Sequence, residues 1–175
     1  MKEKIFVLLL LITVFSLHSC DKEDFEHENS FNKSHKVWLT FKSKSNNSYK
    51  YTVEGYSWVG ILWKTTITVD EGKIVRRSYQ CEEIGFGMEP SLKEEWTENG
   101  EEIGIHKETA AFDPITLDEV YEKAKNEWLI KRSDTTTFFE IKNNGLISLC
   151  GYTVDGCVDD CFRGVNITSI IAYKK

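Results

Sequence analysis

Ile61-Leu62-Trp63-Lys64-Thr65-Thr66-Ile67-Thr68-Val69-Asp70-Glu71-Gly72-Lys73-Ile74-Val75-Arg76-Arg77-Ser78-Tyr79 reads as two strand-forming runs about a tight turn. Ile61 to Val69 and Lys73 to Tyr79 are rich in β-branched and aromatic residues. Between them, Asp70-Glu71-Gly72 ends in a glycine that can supply the positive φ of a tight hairpin. The two runs are therefore an antiparallel pair. Just upstream, Tyr49-Lys50-Tyr51-Thr52-Val53 alternates so that Tyr49, Tyr51 and Val53 share one face of another strand. Beyond a polar break at Ser43 to Ser48, Val37-Trp38-Leu39-Thr40-Phe41 marks the start of the folded part, again with strand character.

Downstream, residues 82–106 are rich in glycine and acid and lack periodicity, which predicts a long loop with a turn of helix near Leu92 to Thr97. Thr116 followed three residues later by Glu119 is a capping-box signature, and Pro114 ahead of it suits the entry turn. Leu117, Val120, Tyr121, Ala124 and Trp128 then recur as one apolar stripe, predicting a helix over 116–131. Thr135 to Ile141 and Leu146 to Val154 flank Asn144-Gly145, a strong hairpin signal. The last strand is Val165 to Tyr173, with Val165, Ile167, Ser169, Ile171 and Tyr173 on one face. The succession predicts an α+β fold: an antiparallel sheet of five to six strands with one principal α-helix packed on one face.

The amino terminus has its own logic. Lys2 and Lys4 precede an almost unbroken apolar run, Ile5 to Leu17, too short to span a bilayer, as in a secretory signal peptide. It ends in Leu17-His18-Ser19-Cys20, which resembles the lipobox of bacterial lipoproteins, where a diacylglyceryl group is added to the cysteine thiol and acyl chains such as palmitate anchor the product. An ordinary secretory cut would want small residues where Leu17 and His18 stand. The expected organisation is a signal peptide over 1–19, a flexible acidic tether over 20–36 and one α+β domain over 37–175. Asp21, Glu23 and Asp24 resemble the signal by which some Gram-negative bacteria send lipoproteins to the cell exterior. The expected location is the outer membrane, lipid-anchored and surface-exposed, with a periplasm-facing position as the alternative.

A wider resemblance rests on the run from Tyr49 to Arg77, the helix over 116–131, Phe139 to Ser148, and Val158-Asp159-Asp160-Cys161-Phe162-Arg163-Gly164-Val165-Asn166-Ile167. This pattern resembles a family of small secreted bacterial domains of unknown function, usually found as lipoproteins. The resemblance implies an envelope location and no particular activity.

Charge narrows the partners. The chain carries a formal charge of −6, and loss of Lys2, Lys4 and Glu3 with the leader leaves it more acidic still. Its basic residues are scattered among acids, whereas a nucleic-acid surface needs them clustered. The expected partners are the membrane, through the N-terminal lipid, and a protein or glycan, with no nucleic acid.

Four cysteines remain beyond Cys20. An even number in an exported chain favours disulfides, with Cys150 joined to Cys157 or Cys161 and Cys81 to the remaining one. Structural zinc is disfavoured, because only Cys157 and Cys161 have a ligand-like spacing. Asp155, Asp159 and Asp160 form a weak calcium set, but their spacing does not match the EF-hand and loop acids are ordinarily solvated. No cofactor is expected: Gly85-Phe86-Gly87 opens no phosphate-binding helix.

His106 is the one histidine outside the leader and tether. No Gly-x-Ser-x-Gly elbow accompanies it, so it reads as a surface residue. Among the aromatics Tyr56, Trp58, Trp63 and Trp96, the segment Gly55-Tyr56-Ser57-Trp58-Val59-Gly60 places rings beside a turn. Tyr56 and Trp58 are the binding candidates, although burial in a core is the commoner fate of residues such as Trp58 and Trp63. The function expected is that of a non-enzymatic, membrane-anchored envelope lipoprotein binding a protein or glycan. The alternative is an inhibitor-like module that blocks a hydrolase with its acidic 82–106 stretch, and a hydrolase working through carboxylates alone is the least supported reading.

Overall fold

The Asp70-Glu71-Gly72 turn closes as its sequence predicts: Glu71 (φ 50°) and Gly72 (φ 83°) both take left-handed backbone between paired Asp70 and Lys73. The computed structural model describes residues 25–84, 91–107, 109–159 and 161–174. Cys20 with its lipobox, Gly85-Phe86-Gly87 and Asp160 lie outside the described residues.

The fold is α+β. The elements are α1 (Glu28–Lys44), β1 (Tyr49–Tyr56), β2 (Ile61–Asp70), β3 (Lys73–Glu83), β4 (Ser91–Asn99), α2 (Leu117–Lys123), β5 (Thr135–Glu140), β6 (Leu149–Val154) and β7 (Arg163–Ala172). Among the described residues the strands form one antiparallel sheet in the order β4-β3-β2-β1-β7-β6-β5, so the count there is seven rather than five to six. The extra strand is β4, which occupies the stretch expected to be a loop. Leu92 is exposed and Glu98 is buried there, so the alternation that identifies a strand is inverted.

Among the described residues two α-helices, not one, pack on the sheet. Residues 28–36, expected within a flexible tether, form the first half of α1, and Val37 to Phe41, expected as a strand, continue it. The helix was hidden because its core-facing row is sparse: Phe31 and Trp38 are buried with Ser34 between them. Ser34 meets the Tyr121 hydroxyl at 2.7 Å, which satisfies its own polar group. His27 at the N-cap makes no side-chain cap, so nothing announces the start of the helix.

α2 follows its prediction closely. Thr116 and Glu119 form the full capping box, and Leu117, Val120, Tyr121, Ala124 and Trp128 are all buried. The helix widens to a π turn over Ala124–Trp128, with Leu129 N–H donating to the Ala124 carbonyl at 3.0 Å. That wide turn lets both Trp128 and Leu129 reach the core.

Aromatic residues join the layers. Tyr49 and Tyr51, fully buried on β1 as their alternation predicts, meet the start of α2: Leu117 N–H donates to the Tyr49 hydroxyl at 2.9 Å, and the Tyr51 hydroxyl donates to the Ile115 carbonyl. Trp38 packs edge-on against Tyr49, ring centroids 5.2 Å apart, and donates its indole N–H to Asp118 at 2.9 Å. On β7 a bulge opposite Thr52 and Val53 breaks the expected face. Val165 and Ile167 point into the core, but beyond the bulge Ile170 packs inward and Ile171 is exposed.

Candidate functional site

The turn between β1 and β2 is built from its own hydrogen bonds. Ser57 N–H donates to the Ile61 carbonyl at 2.8 Å, and Ile61 N–H reaches the Ser57 hydroxyl at 3.3 Å. Gly60 adopts φ 83°, and a Cβ there would lie 2.6 Å from the Ile84 carbonyl oxygen, so only glycine fits. The geometry puts Trp58 and Val59 at the tip, in water.

Tyr56 is 75% and Trp58 77% exposed. Trp58 is therefore not a core residue. Trp63 is half-buried, its indole lying across Gly55, where a Cβ would come within 2.5 Å of Nε1. Tyr56, one step out of phase with buried Tyr49, Tyr51 and Val53, stands exposed at the end of β1.

Beside Tyr56 runs a groove of about 760 Å³, framed by Tyr56, Trp63, Leu149 and Phe162 and carrying the polar side chains of Glu54 and Asn166. Asn166 donates its amide to the Glu54 carbonyl at 3.3 Å, and Lys64 stands 3.9 Å from the Glu54 carboxylate. Phe162 is held by close contact with Gly151 and by Phe138, ring centroids 6.3 Å apart. The groove thus offers flat apolar rings beside a carboxylate and an amide.

The loop that carries Phe162 is stapled by Cys157–Cys161, Cα atoms 6.0 Å apart. This corrects the expected pairing. Cys150 faces the core from β6, where burial pushes its thiol pKa up. Cys81 sits on β3, four strand spacings or about 19 Å from β6, far outside disulfide reach. Both are free thiols. Asp155 accepts a hydrogen bond from the Thr136 hydroxyl at 3.1 Å. No group of three metal-ligating side chains converges among the described residues, and Asp160, the third member of the calcium set, lies outside them.

A second cluster had no signal in the sequence. Arg77 on β3 and Glu98 on β4 are buried together, 3.4 Å apart. The Arg77 guanidinium also donates to the carbonyls of His106, Ala111 and Phe112, and Glu98 accepts from the N–H groups of Gly104 and His106 at 2.7 and 2.9 Å. The His106 ring contacts Glu98 through Nδ1 at 2.9 Å and stacks on Trp96, ring centroids 4.1 Å apart. His106 is therefore half-buried and engaged rather than a free surface residue. The ion pair latches the segment after β4 onto the sheet.

No protein-family model, no curated protein and no solved structure matches the chain.

Proposed function

We propose that the chain is a non-enzymatic, lipid-anchored protein of the bacterial outer membrane that binds a glycan in the groove beside Tyr56. The observation that carries this reading is the exposure of Tyr56 at a groove that also presents Glu54 and Asn166, with Trp58 exposed on the turn that follows Tyr56. Sugars pair apolar C–H faces with hydroxyl edges. Aromatic rings take the first, and carboxylates and amides take the second. The lipobox-like Leu17-His18-Ser19-Cys20 supports anchoring at Cys20, and Asp21, Glu23 and Asp24 support a surface-facing position. His106 is committed to Glu98 and Trp96 rather than to a hydroxyl or thiol nucleophile, which favours binding over catalysis.

The test is retention of the purified chain on immobilised neutral polysaccharides and on peptidoglycan, followed by tryptophan fluorescence titration. Trp58→Ala and Tyr56→Ala should each weaken binding by about tenfold or more, the loss of about 1.4 kcal/mol. Unchanged glycan binding in both variants would refute the site. Retention of a protein partner lost in the same variants would replace glycan by protein.

The inhibitor-like alternative draws on one observation: β4 is an edge strand, and Glu94, Glu95, Glu101 and Glu102 beside it are exposed. An edge strand can pair with an extended segment of another protein. That reading requires that charge reversal at those glutamates, and not Trp58→Ala, abolish the interaction.

A further inference from the structure

The folded part of the chain begins much closer to Cys20 than a tether over 20–36 would allow. Phe25 forms a bridge with Ile130, and Glu26 N–H donates to the Leu129 carbonyl at 3.1 Å. The Glu26 carboxylate accepts from the Thr137 hydroxyl on β5, the His27 ring meets the same hydroxyl at 3.2 Å, and Phe25 packs edge-on against Phe31, ring centroids 5.2 Å apart. Only Asp21 to Asp24 separate Cys20 from this anchored point. Five residue steps cannot span more than about 17 Å, even fully extended.

The anchored point is also off-centre. Glu26 and His27 are fastened to β5, one edge strand of the sheet, and β4 is the other edge, six strand spacings or about 29 Å away along the sheet. A leash of about 17 Å attached at one edge cannot let the domain turn freely above a bilayer.

We infer that the lipid on Cys20 holds the domain against the bilayer by its β5 edge, with the β4 edge and its glutamates turned away from the membrane. This rests on the lipidation proposed above. The bilayer is thus a second contact surface of the domain, separate from the groove beside Tyr56.

The experiment uses full-length protein from a lipoprotein-processing host, with Cys81→Ser as background and one added dye site, either Thr136→Cys on β5 or Glu95→Cys on β4. Both positions are exposed, and Cys150 is fully buried. Each labelled protein is reconstituted into vesicles of phosphatidylethanolamine and phosphatidylglycerol bearing an acceptor dye on a headgroup lipid. Energy transfer from the 136 site should exceed that from the 95 site several-fold, and a flexible Gly/Ser insert of about 20 residues between Asp24 and Phe25 should erase most of that difference. Equal transfer from both sites in protein whose intact mass shows the acyl chains would overturn the orientation alone. A product without acyl mass on Cys20 would overturn the lipidation and the orientation with it.

Discussion

Arg77 and Glu98 face each other across β3 and β4, charged atoms 3.4 Å apart, in a site sealed from water on both sides. Neither charge would be stable there alone. Each is held by the other and by backbone: Arg77 by three carbonyls of the segment after β4, Glu98 by the N–H groups of Gly104 and His106. The pair is thus a clasp that fixes an irregular segment without needing regular structure there.

Glu98→Ala leaves the Arg77 charge buried without its carboxylate and strips two N–H groups of their acceptor. A loss of about 3–5 kcal/mol in urea-unfolding stability is expected, whereas Glu98→Gln, which keeps an acceptor for those N–H groups, should lose less. A Glu98→Ala loss within about 1 kcal/mol would show that the segment is held by something else.

Acid should weaken the same clasp. Burial by itself would raise the Glu98 pKa, but the N–H groups of Gly104 and His106, the His106 ring and the Arg77 guanidinium outweigh it and hold the carboxyl near 2, below its ordinary 4.5. A carboxyl depressed in the folded state stabilises above its unfolded value, and that stability is lost as pH falls from 4.5 through about 2. Thermal unfolding of the natural chain should therefore steepen its decline over that interval, and Glu98→Gln should flatten the profile. Parallel profiles for the two proteins would contradict this.

Two tryptophans should behave oppositely. Trp38 is fully buried against Tyr49 and Tyr121, so Trp38→Ala should cost about 3–5 kcal/mol. Trp58 stands in water, so Trp58→Ala should change stability by no more than about 0.5 kcal/mol while impairing ligand binding. Denaturation midpoints of the two variants decide it, and marked destabilisation by Trp58→Ala would return that ring to a packing role.

Peptide mapping without reductant should recover Cys157 linked to Cys161, with Cys81 and Cys150 as thiols. Cys150 should resist maleimide until the protein is unfolded, because burial both shields the thiol and raises its pKa. A cross-link from Cys150 to Cys157 or Cys161 would refute this arrangement of β6.

Much of the fold was readable one segment at a time. The hairpin at Glu71-Gly72, the face shared by Tyr49, Tyr51 and Val53, and the capped stripe from Leu117 to Trp128 depend on backbone preference and on spacing within a few residues. The elements that escaped were those whose inward positions are polar. Ser34 in α1 and Glu98 in β4 are buried because distant partners, Tyr121 and Arg77, satisfy them. No local pattern contains that information. The candidate site divides in the same way: a turn bearing Tyr56 and Trp58 was visible, but its neighbours Leu149, Phe162 and Asn166 come from the far end of the chain.

By itself, the order of residues determined the class of fold, the turns, the capped helix and an amino terminus resembling a lipidation signal, since each is a property of neighbours along the chain. Only the tertiary structure decided that the helical layer begins at Glu28, that Cys157 pairs with Cys161 and that Trp58 lies outside the core. Those outcomes depend on which strands become adjacent. Strand order places Cys81 beyond reach of Cys150 and sets Glu98 opposite Arg77, and it emerges from burial across the whole sheet rather than from any one stretch of it.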